Sequence, residues 1–248
     1  MDVLKHDGLT VRSLQKITTI NSPEITRIPD RDNGEIMVPL FDLDRICLPS
    51  GTNRVIEGIE DSQNMVARVG VRERLVAATS VLPEGYGLVL IEGYRTYEHQ
   101  KQLFDKKVEK LQEIYPNLED AKRKANIFVS DPDICSPHVT GGAVDVGLVR
   151  IIDGKADSKK WEYIDVGNQF EYDEKAATDC KDLTDEQRKN RQILTDAMTQ
   201  AGFVNYPKEW WHWSYGDKLW AYLTQEDYAI YGLVKDPDLL SSQEPVQI

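Results

Sequence analysis

The chain has 248 residues, 40% of them hydrophobic and 29% charged, which is ordinary for a globular protein. Its net charge of -12, from 30 basic and 42 acidic residues, speaks against nucleic acid and anionic membrane as partners, since both demand a basic surface. No apolar run approaches a bilayer's thickness and no signal-peptide pattern is visible, so no membrane insertion and a cytoplasmic location are expected.

Residues 1–35, with Pro23, Pro29 and the turn Asp32-Asn33-Gly34, read as an arm or a set of short strands packed on the rest. Partial alternation over Glu35–Leu48 predicts a strand. Val71, Leu75, Ala78 and Leu82 recur at helical spacing, which predicts a helix over Met65–Leu82, closed by Pro83-Glu84-Gly85. Tyr86–Ile91 has the length of a strand. Beyond Glu92-Gly93-Tyr94-Arg95-Thr96, the residues Phe104, Val108, Leu111 and Tyr115 mark a helix that Pro116-Asn117 ends. Leu118–Phe128 reads as a further short helix.

Next comes Ser136-Pro137-His138-Val139-Thr140-Gly141-Gly142-Ala143-Val144-Asp145, a polar loop leading into an apolar strand. That strand runs to about Ile152 and turns at Asp153-Gly154 toward a return strand over Trp161–Val166. Thr184-Asp185-Glu186-Gln187 fits a capping box, and its helix runs to Gly202. Phe203-Val204 and Trp210–Tyr215 read as strands, and 233–248 as an irregular tail. Nothing resembling a linker divides the chain, so 1–248 is expected to be one domain.

Asp145 stands inside an apolar strand, where a charge must be paired or bind a metal. His138 lies seven residues before it, and His212, in Glu209-Trp210-Trp211-His212-Trp213, is the natural third ligand. Two imidazoles and a carboxylate leave a tetrahedral zinc one open position, as catalytic sites do. Cys135, three residues before His138, competes as a ligand, but a Cys-x-x-His pair with no second pair is the weaker signal. The three cysteines, Cys47, Cys135 and Cys180, form no disulfide pattern and read as reduced thiols. His6 and His99 read as solvated. A histidine packed among tryptophans is the competing explanation of His212. Glu209 weighs against it, because a carboxylate three residues before a ligand suits a general base acting on a zinc-activated water. The wall of Trp210, Trp211 and Trp213 would raise its pKa. Strict alternation would put Glu209 and His212 on opposite faces, so a bend near Trp210 is expected. Arg95, between a strand and a helix, reads either as a surface arginine or as a guanidinium aimed at a developing oxyanion.

Glu92-Gly93-Tyr94-Arg95, then Ser136-x-His138 through Gly142-x-x-Asp145, then Glu209-Trp210-Trp211-His212 occur in an order and spacing that resembles the zinc D-Ala-D-Ala dipeptidases of the hedgehog/DD-peptidase fold. The resemblance covers residues 65 to 216. It implies an α+β fold with a central antiparallel sheet flanked by helices, and one zinc ion on His138, Asp145 and His212. It also implies Glu209 as catalytic base and acid, and Arg95 as the group holding the tetrahedral intermediate. Ser136 and Glu171 match family positions that face the substrate's ammonium group, with Glu171 replacing an aspartate. The family's Tyr-Ala-Thr-x-x-Asn-Phe-Thr-Gly segment has no counterpart: Val38–Asp44, which includes Phe41, stands there without a tyrosine.

The expected activity is therefore zinc-dependent hydrolysis of D-Ala-D-Ala or a similar short dipeptide. A carboxypeptidase or endopeptidase acting on peptidoglycan stems, and a non-catalytic zinc-binding module, are the alternatives.

Overall fold

The computed structural model describes residues 19–49, 65–126, 129–153, 160–171 and 174–235, together with the strand backbone of 4–6 and 9–11. An antiparallel hairpin of β1 (Leu4–His6) and β2 (Leu9–Val11) opens the chain. A single turn, α1 (Pro23–Thr26), begins at a proline, whose missing N–H is no loss at a helix start.

The strand predicted over Glu35–Leu48 divides into β3 (Met37–Pro39) and β4 (Ile46–Cys47). The break falls at Arg45, which takes a left-handed φ of 57°. Its guanidinium donates to the carbonyls of Thr79 and Tyr86 at 2.6 and 2.7 Å. The helix predicted from Met65 begins late. Val66–Arg68 is β5, paired antiparallel with β3, and α2 is Val69–Val81. A pairing partner so much earlier in the chain leaves no mark on helical spacing.

β6 (Tyr86–Glu92) leads to α3 (Tyr97–Gln112), whose first turn is capped by Thr96 accepting from the His99 N–H at 3.2 Å. α4 (Leu118–Ala125) starts at the Asn117 cap, and Ile127 and Phe128 of the predicted helix lie outside the described residues. These two helices bury Phe104, Val108, Ala121 and Ala125 between them. Where a loop was expected, Pro137–Thr140 forms one helical turn, α5, ending at Gly141 with φ 70°.

The long strand β7 (Ala143–Asp153) follows, and β8 (Lys160–Tyr163) is its return strand, shorter than predicted. Gly154 of the expected turn lies outside the described residues. The capping box opens α6 (Asp185–Gln200): Thr184 accepts from the Gln187 N–H at 3.2 Å, and the Gln187 side chain accepts from the Thr184 N–H at 2.9 Å. β9 (Val204–Asn205), β10 (His212–Ser214) and a last helix, α7 (Lys218–Thr224), complete the described chain. The strand read over Trp210–Tyr215 shrinks to β10, because Glu209 to His212 form a turn closed by the His212 N–H on the Glu209 carbonyl at 3.1 Å. α7 was not predicted. Its signal was Asp217, whose side chain accepts from the Trp220 N–H at 2.9 Å, ahead of an apolar run of helical spacing. Of the tail, 236–248 lies outside the described residues.

The main sheet has the order β4-β6-β7-β10-β9, and β8 pairs the far half of β7. It is antiparallel throughout except for the parallel pair of β4 and β6. Register sorts the side chains of β7. Val144, Val146 and Leu148 stand level with Trp213, Leu90 and Leu88. They share one buried cluster with Val71, Leu75 and Ala78 of α2 and with Leu194, Ala197 and Met198 of α6. Each buried leucine of this cluster contributes roughly 2 kcal/mol by area.

Alternation turns Asp145 to the other face. There it stands opposite His212 of β10 on one side and Glu92 of β6 on the other. A regular β6 would have set Ile91 against Asp145. The bulge between Leu90 and Glu92 takes up Ile91 and brings Glu92 into the row. No helix among the described residues is long and apolar enough to cross a membrane.

Gly141 joins α5 to β7 in a left-handed conformation, and a Cβ there would meet Met37 Cε at 2.5 Å. Gly141→Ala should therefore cost about 2 kcal/mol of stability, read as a lower urea midpoint. Gly141→Asn, although it tolerates the left-handed region better, meets Met37 with the same Cβ and should not restore stability.

Candidate active site

Three buried side chains converge from three elements: His138 from α5, Asp145 from β7 and His212 from β10. His138 Nε2 and His212 Nδ1 lie 3.2 Å apart, and Asp145 Oδ1 is 3.3 Å from the first and 3.1 Å from the second. The orientation of each ring is fixed from behind. His138 Nδ1 lies 2.8 Å from the Gly93 carbonyl, which can only accept, so Nδ1 carries the proton and Nε2 faces the centre with its lone pair. His212 Nε2 lies 3.3 Å from the hydroxyl of Ser214, which is wholly buried.

Three lone-pair atoms aimed at one point repel unless positive charge lies between them. Tetrahedral zinc with bonds of roughly 2.0–2.1 Å separates its ligands by about 3.3 Å, so this triangle fits such an ion. The electrostatics agree. Burial lowers the pKa of His138, but the Asp145 carboxylate outweighs it and raises the imidazole to about 9. Burial would raise Asp145, yet the two imidazoles hold its carboxyl well below the usual range. The cluster retains one positive charge, as a proton or as a metal that competes with it.

Glu209 lies in the turn before β10, with a carboxylate oxygen 4.0 Å from His212 Nδ1. The turn, rather than strand alternation, brings it to the same side as His212. Burial raises its carboxyl to about 6, with the His212 charge opposing. Trp213 is not part of that environment, because it stands level with Val144 on the opposite face. The aromatic groups beside Glu209 in the cleft are Phe170 and Tyr206, neither of them singled out in the sequence.

Arg95 follows β6 and is no loose surface arginine. Its Nε donates to Glu92 Oε1 at 2.7 Å, a second nitrogen pairs with Glu92 Oε2, and Nη1 donates to Gln100 Oε1 at 2.7 Å. Glu92 is fully buried. All these groups except Glu92 face one cleft of about 780 Å3, which Ser136 also lines.

The family model described as D-Ala-D-Ala dipeptidase matches residues 52–230. The chain belongs to the D-Ala-D-Ala dipeptidase family. It is a metallopeptidase, with the α+β fold the resemblance implied. A D-alanyl-D-alanine dipeptidase of Synechocystis is 24% identical over 84% of this chain and 95% of its own length. One from Enterococcus faecalis is 26% identical over 67% of this chain and 81% of its own. Among solved structures, the LdcB LD-carboxypeptidase is 21% identical across 92% of this chain and 91% of that one. Its TM-score of 0.44 marks a loose likeness only.

Within this dipeptidase-family chain, three residues considered in the sequence lie away from the converging ligands. Glu171 is exposed and does not line the cleft. The turn before it holds Phe170 at a left-handed φ of 62°, and packing against Trp210 and Trp211 directs that ring inward instead. Phe170 also presses on β7, where a Cβ on Gly147 would meet its Cζ at 2.7 Å. Cys135 is a buried member of the cluster around Ile25 and Leu219, where burial raises its thiol to about 12, and it is not one of the converging ligands. Phe41, from the segment that departs from the family, is 47% exposed and does not line the cleft.

Removing Arg95 would strand the Glu92 carboxylate in the interior. Arg95→Ala is expected to cost about 3 kcal/mol in chemical unfolding, apart from any effect on activity.

Proposed function

We propose that this chain hydrolyses the peptide bond of D-Ala-D-Ala or of a similar short peptide containing D-amino acids. One zinc ion per chain would be held by His138, Asp145 and His212. The reading is carried by the convergence of three lone-pair atoms in the cleft that Glu209 and Arg95 also line. A metal-binding module alone would need neither of the last two.

A zinc ion at this position supplies Lewis acidity, which acidifies water and polarises a carbonyl. The remaining work falls to side chains. Glu209 takes the proton from the attacking water and returns it to the amine nitrogen that leaves. Its raised pKa suits both halves of that task, since the carboxylate accepts the proton readily and the acid gives it up readily. Arg95 faces the carbonyl oxygen as negative charge gathers there. Glu92 and Gln100 fix its guanidinium in advance, so no reorganisation is needed during reaction. Ser136, buried at the head of α5, offers its hydroxyl to the substrate's amino end. The Gly93 carbonyl and the Ser214 hydroxyl keep the imidazoles of His138 and His212 in the orientation that binds metal.

Two experiments test this reading. Glu209→Gln should retain zinc by elemental analysis and lose about a thousandfold in kcat on D-Ala-D-Ala; an unchanged rate would sink the mechanism. The pH profile provides the second. Glu209 works as a carboxylate, so activity is present above its pKa and lost as pH falls through it. Burial sets that value at about 6 and a bound dication lowers it further. The acid limb of kcat/KM should therefore fall at or below about pH 6, and it should be missing from the residual activity of Glu209→Gln.

A further inference from the structure

The cleft continues beyond the converging ligands along α3, where Gln100, Leu103, Lys106, Lys107 and Lys110 line it. Gln100, Leu103, Lys107 and Lys110 recur at helical spacing and share one face, with Lys106 one turn before Lys110. Three ammonium groups therefore stand on one wall of the cleft, in a chain whose net charge is -12. Lys106 and Lys110 are exposed, and among the described residues neither is held in an ion pair. Like charges four residues apart repel across a helix face, and an anion bound between them relieves that repulsion. Lys101, on the same helix, shows the ordinary alternative: it pairs with Asp105 at 2.6 Å.

Helix geometry sets the span. Gln100 touches Arg95, so it marks the reacting end of the cleft. At a rise of about 1.5 Å per residue, Lys106 and Lys107 lie roughly 10 Å further along and Lys110 about 15 Å. An extended peptide advances about 3.4 Å per residue. A bound dipeptide therefore ends short of the lysines, and a group three to four residues from the reacting bond reaches them.

We infer that this lysine wall is an anion subsite, and that the substrate is an acidic peptide longer than a dipeptide, with a carboxylate three to four residues from the bond that is cut. The inference rests on the peptidase reading above and shifts its preferred substrate from the free dipeptide to a longer peptide. The wall is open to solvent, so it raises capture of the substrate more than the rate of the chemical step, and salt weakens it.

The test compares N-acetyl-Glu-Gly-Gly-D-Ala-D-Ala with its Gln counterpart, using free D-Ala-D-Ala as reference. A mirrored pair carries the Glu or Gln on the carboxyl side of D-Ala-D-Ala. At low salt the zinc-loaded protein should favour a Glu peptide over its Gln twin by about tenfold in kcat/KM, mostly through KM, on one side of the bond. Lys106→Gln with Lys110→Gln should bring that ratio near one, and Lys106→Glu with Lys110→Glu should invert it. A ratio is unaffected by partial misfolding, which lowers both rates alike. Equal rates on Glu and Gln peptides on both sides, or a preference that survives the double variants, overturns the subsite. If none of the peptides is cut, the peptidase reading has failed and calorimetric binding decides the subsite. Binding of a Glu peptide about tenfold tighter than its Gln twin supports it, and equal affinity overturns it.

Discussion

The arrangement depends on one buried charge. Asp145 sits in the longest strand of the sheet and is 4% exposed, where an ionised carboxylate is tolerated only with compensation. On the adjacent strand Glu92, wholly buried, stands directly opposite it. Two carboxylates so placed repel strongly, and the structure gives each its own counter-charge. Arg95 closes on Glu92 from the loop after β6. The imidazoles of His138 and His212 close on Asp145 from α5 and β10. The reactive end of the cleft thus rests on two neutralised carboxylates side by side: Glu92, buried behind it and answered by a permanent cation, and Asp145, which lines it and is answered by a centre that takes up a proton or a metal.

The same arrangement explains why the groups are held so firmly. Gly93, whose carbonyl accepts the hydrogen bond from His138 Nδ1–H, lies between Glu92 and the loop carrying Arg95. The Arg95 N–H in turn donates to the His138 carbonyl at 3.2 Å. The two halves of the site are therefore tied through backbone as well as through charge. A shift of α5 would move the ligand and loosen the arginine together.

Much of this was legible because chemistry leaves a mark in sequence where geometry does not. A carboxylate inside an apolar strand, and a histidine following Glu209 at three residues, identified the converging side chains without knowledge of the sheet. Elements with strong local signals were also plain, such as the capping box of α6. What escaped depended on partners distant in the chain. β5 is a strand because β3 lies beside it, and Glu92 joins the site only because a bulge displaces Ile91. Glu171 was assigned by alignment to a family position, but the left-handed turn at Phe170 exchanges which side chain faces inward. Trp213 was grouped with its neighbours by composition, although alternation sends it to the far side of the sheet.

Gly147 occupies the middle of β7, two residues past Asp145, and its bare backbone is what admits the edge of Phe170. The ring that walls the cleft therefore rests on a missing methyl group. Cleft width is set from underneath, by a strand position that meets no substrate. Divergence in substrate size within such a scaffold need not involve the residues that touch the substrate at all. One added carbon in the sheet would lift the aromatic wall and narrow the space above it.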